Sequence, residues 1–194
     1  QVTHAFDDAI KAREDEVTAP SLISRAHRLV RDDGLWRRGA HVLCATSGGP
    51  DSMAMLHALI LLRKRLGHRL SAVGIDHGLR SEASKELALV RQLADEHDVP
   101  FSKVRLRVAR GSNLQARARE ARHAALQRAA TRYDADLIAL GHTADDRAET
   151  VIMRILRGAG PRGVGAMPSM AGAPTRSGVS LVRPLLTARR ADVI

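Results

Sequence analysis

The six residues 47–52 carry the clearest chemical signal in the sequence, because they combine two glycines with two hydroxyls and a carboxylate. They follow a short apolar run, His41–Thr46, and open a long apolar segment. Glycine lets a backbone pass close to a ligand, and the free amides at the start of a helix attract phosphate. The segment therefore predicts a nucleotide-phosphate site, although a glycine turn that merely caps a helix is the simpler alternative. The residues expected to bind the nucleotide are Ser47, Gly48, Gly49, Pro50, Asp51 and Ser52.

Carboxylates stand in this segment and at the start of a predicted helix, 144–157. Asp51 is expected to act in catalysis by holding Mg²⁺ against phosphate oxygens. In the helix, Asp145 and Glu149 are four residues apart and share a face, and Asp146 is three residues from Glu149. These three are also assigned to catalysis, as a site for Mg²⁺ (through Asp145) or for an ammonium group. The alternative is that they only complement the helix dipole.

Strand and helix patterns alternate along the chain, which predicts a parallel sheet. The predicted strands are 41–46, 70–75, 101–108, 136–140 and 180–183, and the predicted helices are 21–33, 53–66, 84–97, 113–133 and 144–157. The fold class is α/β, a doubly wound five-stranded parallel sheet with helices on both faces. The stretch 158–178, rich in Gly, Pro and Ser, is predicted to be a loop. Residues 1–20 are expected to form a mobile arm or a separate helix, and 21–194 the domain itself.

Polar residues follow the predicted strands where ligands bind in such sheets, at their carboxyl ends. Asp76 and His77 come after the second strand and His142 after the fourth, so all three are expected to contact the nucleotide. For His142 the alternative is a cap on the next turn. Arg119 and Arg122 share one face of the helix 113–133 and are assigned to catalysis, where they would act on phosphate groups or on a nucleic acid.

Composition limits the partners and the compartment. Lys and Arg total 31 against 21 Asp and Glu, a formal charge of +10, so nucleic-acid binding and a solvated arginine-rich surface are about equally favoured. Aromatic residues make up only 2% of the chain, which leaves little surface for stacking bases. The single cysteine, Cys44, excludes an intrachain disulfide. With no membrane-length apolar run and no signal peptide, a cytoplasmic protein without membrane contact is predicted.

Ordered motifs give a more specific indication. Residues 47–52 resemble the S-G-G-x-D-S signature of the PP-loop, or N-type ATP pyrophosphatase, superfamily, which is distinct from a Walker A loop and from the dinucleotide G-x-G-x-x-G. Four further segments resemble the tRNA(Ile)-lysidine synthetases of that superfamily. They are 76–80 (D-H-x-L-R), 113–122 (the N-x-E/Q-A-x-A-R-x-x-R helix), 141–150 (G-H-x-x-D-D-x-x-E-T) and 183–186 (R-P-L-L).

The resemblance implies a Rossmann-like PP-loop fold and a ligase that uses ATP with Mg²⁺. It would join free L-lysine to C2 of cytidine 34 in tRNA(Ile) with a CAU anticodon, releasing AMP and pyrophosphate through an adenylated cytidine. The C-terminal domains that hold tRNA in that family are expected to be absent from this chain, and a homodimer is compatible with it. Two alternatives stay open: a PP-loop enzyme of tRNA 2-thiolation, which the lone cysteine disfavours, and a regulatory module that holds ATP without turnover.

Overall fold

The computed structural model of the chain describes residues 21–76, 83–106, 113–159, 167–172 and 178–193. The helices are α1 (Leu22–Asp32), α2 (Pro50–Leu66), α3 (Ala83–Glu96), α4 (Leu114–Tyr133) and α5 (Ala144–Leu156), followed by a short 3₁₀ turn (Arg190–Asp192). The strands are β1 (His41–Thr46), β2 (Arg69–Asp76), β3 (Phe101–Arg105), β4 (Leu137–Leu140), β5 (Met170–Ala171) and β6 (Ser180–Val182). Among these helices, none is long and apolar enough to cross a membrane. The predicted arm, residues 1–20, lies outside the described residues.

The strands form one sheet in the order β3-β2-β1-β4-β6-β5. All neighbouring strands are parallel except β5 and β6, which pair antiparallel through Met170 with Val182 and Ala171 with Leu181. The predicted α/β fold and its five parallel strands are confirmed, but within the described residues the sheet has a sixth strand, β5. Strand β5 lies within the stretch predicted as a loop, and two residues are too few to show strand periodicity.

Helices cover both faces of the sheet, as predicted. Along β1, Val42 and Cys44 point into one apolar cluster, which also contains Leu56 of α2 and Val90 of α3. The intervening Leu43 points into the second cluster, together with side chains of α4 such as Leu126. Successive strand residues face opposite sides, so a strand covered on both faces is apolar at nearly every position. This explains why β1 reads as an uninterrupted apolar run.

The strand order reverses between β1 and β4. The chain runs from β1 outward through β2 and β3, and then returns to place β4 on the other side of β1. At such a point the connections leave the two carboxyl ends in opposite directions and open a crevice between them. Gly141, directly after β4, allows this crevice to be narrow there, since a Cβ on it would stand 3.1 Å from the Asp51 carbonyl oxygen and from Ser52 Cα.

Candidate active site

The loop between β1 and α2 (residues 47–49) is braced by its own hydroxyl groups. Gly48 has φ 86°, a left-handed conformation that favours glycine, and Gly49 is the N-cap of α2. The Ser52 hydroxyl accepts a hydrogen bond from the Ser47 amide at 3.2 Å and donates one to the Gly49 carbonyl at 2.9 Å. Pro50 starts the helix with its φ already fixed and no amide hydrogen to satisfy. The Ser52 side chain therefore shapes the loop, and Ser47 is the exposed hydroxyl.

A pocket lies at the crevice, with the loop on one wall. Its lining includes Ser47, Gly49 and Asp51 from the loop and the start of α2, Gly141 and His142 after β4, Arg122 of α4, and the apolar side chains of Ile75 and Leu126. Arg122 is partly buried, and its Nε atom has no hydrogen-bond partner among the described residues. Burial, and then the charge of Arg119, lowers the pKa of Arg122. A partly buried guanidinium that lines the same pocket as a loop of helix-start amides is suited to bind an anion there.

The carboxylates predicted to act together are brought together around one guanidinium. Arg190 places its side-chain nitrogens 3.7 Å from Asp51 Oδ2, 3.3 Å from Asp146 Oδ1 and 3.4 Å from Glu149 Oε1. Its backbone amide donates to Asp145 Oδ2 at 2.7 Å. Four carboxylates from two helices thus form one acidic cluster (Asp51, Asp145, Asp146 and Glu149), and the chain itself shows that the cluster accepts a cationic side chain.

Asp146 caps helix α5 and also belongs to the acidic cluster. Its Oδ2 atom accepts hydrogen bonds from the backbone amide of Thr143 at 2.7 Å and from the Thr143 hydroxyl at 2.9 Å. This capping box fixes the start of α5, while the Oδ1 atom faces Arg190. One oxygen of this carboxylate thus caps α5, while the other belongs to the acidic cluster.

Asp51 is the residue best placed to hold a magnesium ion. Its Oδ1 atom is buried without a hydrogen-bond partner among the described residues, and burial, with the charges of Asp146 and Asp145, raises its pKa against the opposing effect of Arg190. No group of three or more His, Cys, Asp and Glu among those residues is arranged to hold a metal. Magnesium commonly takes only one or two protein carboxylates and completes its shell with phosphates and water. The carboxylate of Asp51 therefore fits a magnesium ion that also binds the phosphates of a nucleotide.

The basic residues predicted for the site line a cleft next to the pocket. Arg119 is exposed and borders this cleft together with Arg183, Arg154 and Met167. His142 lines both the pocket and the cleft. Burial and then the charge of Arg183 lower the pKa of His142 to about 4, so its ring is neutral near pH 7.

Of the described residues predicted to bind the nucleotide, Gly48 and Asp76 are not among those that line the pocket. Asp76 ends β2, but its carboxylate forms an ion pair with Lys103 of β3 at 3.1 Å, and the preceding Ile75 is the residue of β2 at the pocket. His77 lies outside the described residues. The contacts with the nucleotide that were predicted for Asp76 and His77 stay predictions.

Sequence comparison agrees with this geometry, since residues 19–194 match the PP-loop domain family. The chain belongs to that family. Its curated relatives include the tRNA(Ile)-lysidine synthase of Novosphingobium aromaticivorans, 38% identical over 90% of this chain and 52% of that protein. The enzyme of the same name from Aromatoleum aromaticum is 44% identical over 78% of this chain and 34% of that protein. The PP-loop domain described here thus spans about half the length of these relatives, or less.

Solved structures support the fold of the PP-loop domain. The U34-tRNA thiolase NcsA from Methanococcus maripaludis, solved with its [4Fe-4S] cluster, superposes with a TM-score of 0.70 at 19% identity, covering 89% of this chain and 60% of that one. A phosphoadenylyl-sulfate reductase from Candida auris gives a TM-score of 0.53 at 12% identity, covering 95% of this chain and 81% of that one. At these identities the likeness concerns the fold alone.

Sequence reasoning missed two arginines of this PP-loop site. Arg190 sits in the short turn after the last strand, and Arg183 directly follows β6, beside His142. The surplus of four neighbouring carboxylates requires a counter-charge, and this was the available signal. The need for a counter-charge does not identify the arginine that supplies it. Arg190 is 45 positions from Asp145, so only the fold brings the two residues together.

Replacing Arg190 with methionine is expected to move the acid limb of the pH–activity profile to higher pH. Arg190 opposes the other influences that raise the pKa of Asp51, so its loss raises that pKa further. A protonated Asp51 is a poor metal ligand, and pyrophosphate release should fall severalfold at pH 6 and less at pH 8. Arg189→Met is the matched control, since Arg189 is exposed and contacts Asp192 through its backbone amide. An equal loss at both pH values would contradict this role.

Proposed function

We propose that this chain is the catalytic, ATP-binding part of a tRNA(Ile)-lysidine synthase. It would ligate L-lysine to C2 of cytidine 34 in tRNA(Ile) with a CAU anticodon and release AMP and pyrophosphate. The proposal rests on one conjunction: a phosphate-binding loop and an acidic cluster meet at Asp51 in a chain 38% to 44% identical to enzymes of that name. The first feature suits ATP, and the second suits the ammonium of lysine.

The loop supports the first step, which transfers AMP to the base. The triphosphate binds with its oxygens on the amides of the loop and the start of α2, and Arg122 lines the same pocket. The C2 carbonyl oxygen of the cytidine attacks the α-phosphorus, and the bond to pyrophosphate breaks. A magnesium ion held through Asp51 would neutralise charge on the phosphate oxygens. The fixed amides and Arg122 stabilise the charge that develops on the departing pyrophosphate.

The acidic cluster supports the second step, in which the side-chain amine of lysine displaces AMP from C2. An amine must lie close to the carbon it attacks and must lose a proton. Asp146 and Glu149 already hold the guanidinium of Arg190 at 3.3 and 3.4 Å, so this cluster of carboxylates suits a second cation such as the ammonium of lysine. Because Asp51 also contacts Arg190, the cluster reaches the phosphate loop, which brings the amine beside the adenylated base.

The basic cleft supports tRNA as the carrier of the reacting base. Arg119, Arg154, Arg157 and Arg183 line it, and so do Met153, Met167 and the carboxylates of Asp146 and Glu149. Arginines bind backbone phosphates, and apolar side chains can cover one face of an unstacked base. The residues sit directly beside the pocket, since Arg119 and Arg183 also flank Arg122 and His142.

A 2-thiolation enzyme is the second candidate, and Cys44 argues against it. The sulfur chemistry of such enzymes needs accessible thiolates, but this single cysteine is fully buried in β1, and burial raises the pKa of its thiol far above its usual value. A regulatory module that only stores ATP has no use for the acidic cluster or the basic cleft.

The decisive experiment supplies the protein with ATP, Mg²⁺, labelled L-lysine and tRNA(Ile), using a tRNA with uridine in place of cytidine 34 as the control. Label is expected only in the tRNA that carries cytidine 34, with one AMP and one pyrophosphate formed for each lysine joined. Equal label in both tRNAs would contradict the assigned base. AMP formation that needs no lysine would point to another PP-loop reaction.

A further inference from the structure

We propose that Arg183 is a positioning residue that fixes the tautomer of His142, so that the Nε2–H group of His142 donates a hydrogen bond to an oxygen of the bound reactants. This inference rests on the proposed function for the identity of the reactants, but not for the tautomer itself. Its basis is one contact: Arg183 Nε lies 3.1 Å from His142 Nδ1.

The chemistry of this contact allows only one arrangement of protons. The guanidinium of arginine stays protonated in proteins, so its Nε atom always carries a hydrogen and can only donate. The Nδ1 atom of His142 must therefore accept and present its lone pair. In a neutral imidazole the proton then sits on Nε2. The ring is neutral because burial, the charge of Arg183 and the charges of Arg122 and Arg119 lower its pKa to about 4, against the opposing effect of Asp146.

Arg183 is itself held in place, so the contact is preorganised. Its Nη1 atom donates to the Pro168 carbonyl at 2.8 Å, and its backbone amide donates to the Ser169 carbonyl at 2.8 Å. The residue is only 9% exposed, although it lines the basic cleft. A buried side chain fixed at both its backbone and its far end cannot easily turn away from its partner, so His142 keeps a fixed ring orientation.

The geometry leaves Nε2 for a ligand. No hydrogen-bond partner of Nε2 occurs in the part of the chain that the structure describes. His142 lines the pocket beside the phosphate loop and also the basic cleft, so it stands at the border between the nucleotide and the base that the first step joins. A neutral N–H donor at that border can bind a phosphate or carbonyl oxygen without adding a proton that could be lost to the reactants.

The first test reads the tautomer directly, by ¹⁵N NMR of the histidine ring nitrogens in the protein without nucleotide. His142→Gln identifies the signals of His142 by their disappearance. In the wild-type protein, Nδ1 is expected to give a signal of the unprotonated type and Nε2 one of the protonated type. Arg183→Lys keeps the charge and a donor for the Pro168 carbonyl but lacks the Nε–H group, so it should give a mixture of both tautomers. Unchanged signals in Arg183→Lys, or an Nδ1–H tautomer in the wild type, would overturn the proposal.

The second test compares two amides at position 142, neither of which titrates. Glutamine places its NH₂ group near the position of Nε2, whereas asparagine reaches only as far as Nδ1. His142→Gln should retain most of the lysine-joining rate, and His142→Asn should lose about a hundredfold, as for the removal of one preorganised donor. Equal rates for the two variants would overturn the donor role. If the protein joins no lysine at all, the proposed function fails, while the tautomer measurement still decides the role of Arg183.

Discussion

Asp51→Asn is expected to reduce pyrophosphate release by about a thousandfold or more and, at the same time, to make the protein more resistant to heat. The loss follows from the metal role, because asparagine keeps the size of the side chain but removes the charge that Mg²⁺ requires. The gain in heat resistance follows from the burial of the Asp51 carboxylate. The Oδ1 atom of Asp51 has no hydrogen-bond partner among the described residues, and an ionised carboxylate in such a place destabilises the folded state.

The gain in stability of the Asp51→Asn protein should depend on pH, and it should be present at higher pH. The pKa of Asp51 is raised in the folded protein, with burial as the main cause and with Asp146 and Asp145 adding to it. The folded state therefore holds the proton more tightly than the unfolded state, and stability is lost as the pH rises through the interval between the two pKa values. Above this interval the variant should unfold at a higher temperature than the wild type. Below the pKa of the unfolded state the difference should disappear.

Asp95→Asn provides the control for this experiment, since Asp95 is an exposed carboxylate on α3, away from the pocket. It should change neither the rate nor the unfolding temperature. Thermal unfolding followed by circular dichroism and a coupled assay for pyrophosphate give the two readings. An Asp51→Asn protein that keeps its turnover would remove Asp51 from the metal role. One that loses turnover but is less stable than the wild type would show that Asp51 holds the loop together.

The sequence was sufficient to predict the parts of the structure that depend on neighbouring residues. The start of α1 is an example, because Ser21 caps it by accepting a hydrogen bond from the Ser24 amide. Strand β1 is another, since a strand covered on both faces is apolar at nearly every position. The loop before α2 could be placed for the same reason, as its glycines, hydroxyls and proline act within six positions of one another. Helix α2 nevertheless starts at Pro50 rather than at the predicted residue 53, since proline suits the first turn.

Contacts between distant residues could not be predicted. Arg183 meets His142 from 41 positions away, and Arg190 meets Asp146 from 44. Which of many arginines reaches a given partner depends on how β6 and the following turn lie against β4 and α5. The pairing of Asp76 with Lys103 has the same origin, because it depends on the register of two neighbouring strands. The sequence could therefore indicate which residues are candidates for the site, but not the ion pairs that they form with one another.

The conformation of the loop itself leads to the other large effect: Gly48→Ala should weaken ATP binding by about a hundredfold or more. Two costs combine at this position. Gly48 has φ 86°, which costs a residue with a Cβ atom about 1–2 kcal/mol. In addition, that Cβ would stand 3.0 Å from the carbonyl carbon of Glu86 in the first turn of α3, and still closer to the Glu86 Cβ. Backbone atoms of a helix cannot give way as the end of a side chain can, so the loop must shift and its amides must turn away from the phosphates.

Gly34→Ala separates these two costs. Gly34 also has a positive φ, 58°, but an added Cβ would meet nothing within 4 Å, so the variant carries the conformational cost without the collision. Its unfolding temperature should fall slightly, and its affinity for a non-hydrolysable ATP analogue, measured by calorimetry, should equal that of the wild type. If Gly48→Ala also binds the analogue like the wild type, the triphosphate does not rest on this loop. The phosphate site would then have to be sought among the arginines of the neighbouring cleft, and Asp51 would lose its link to the metal.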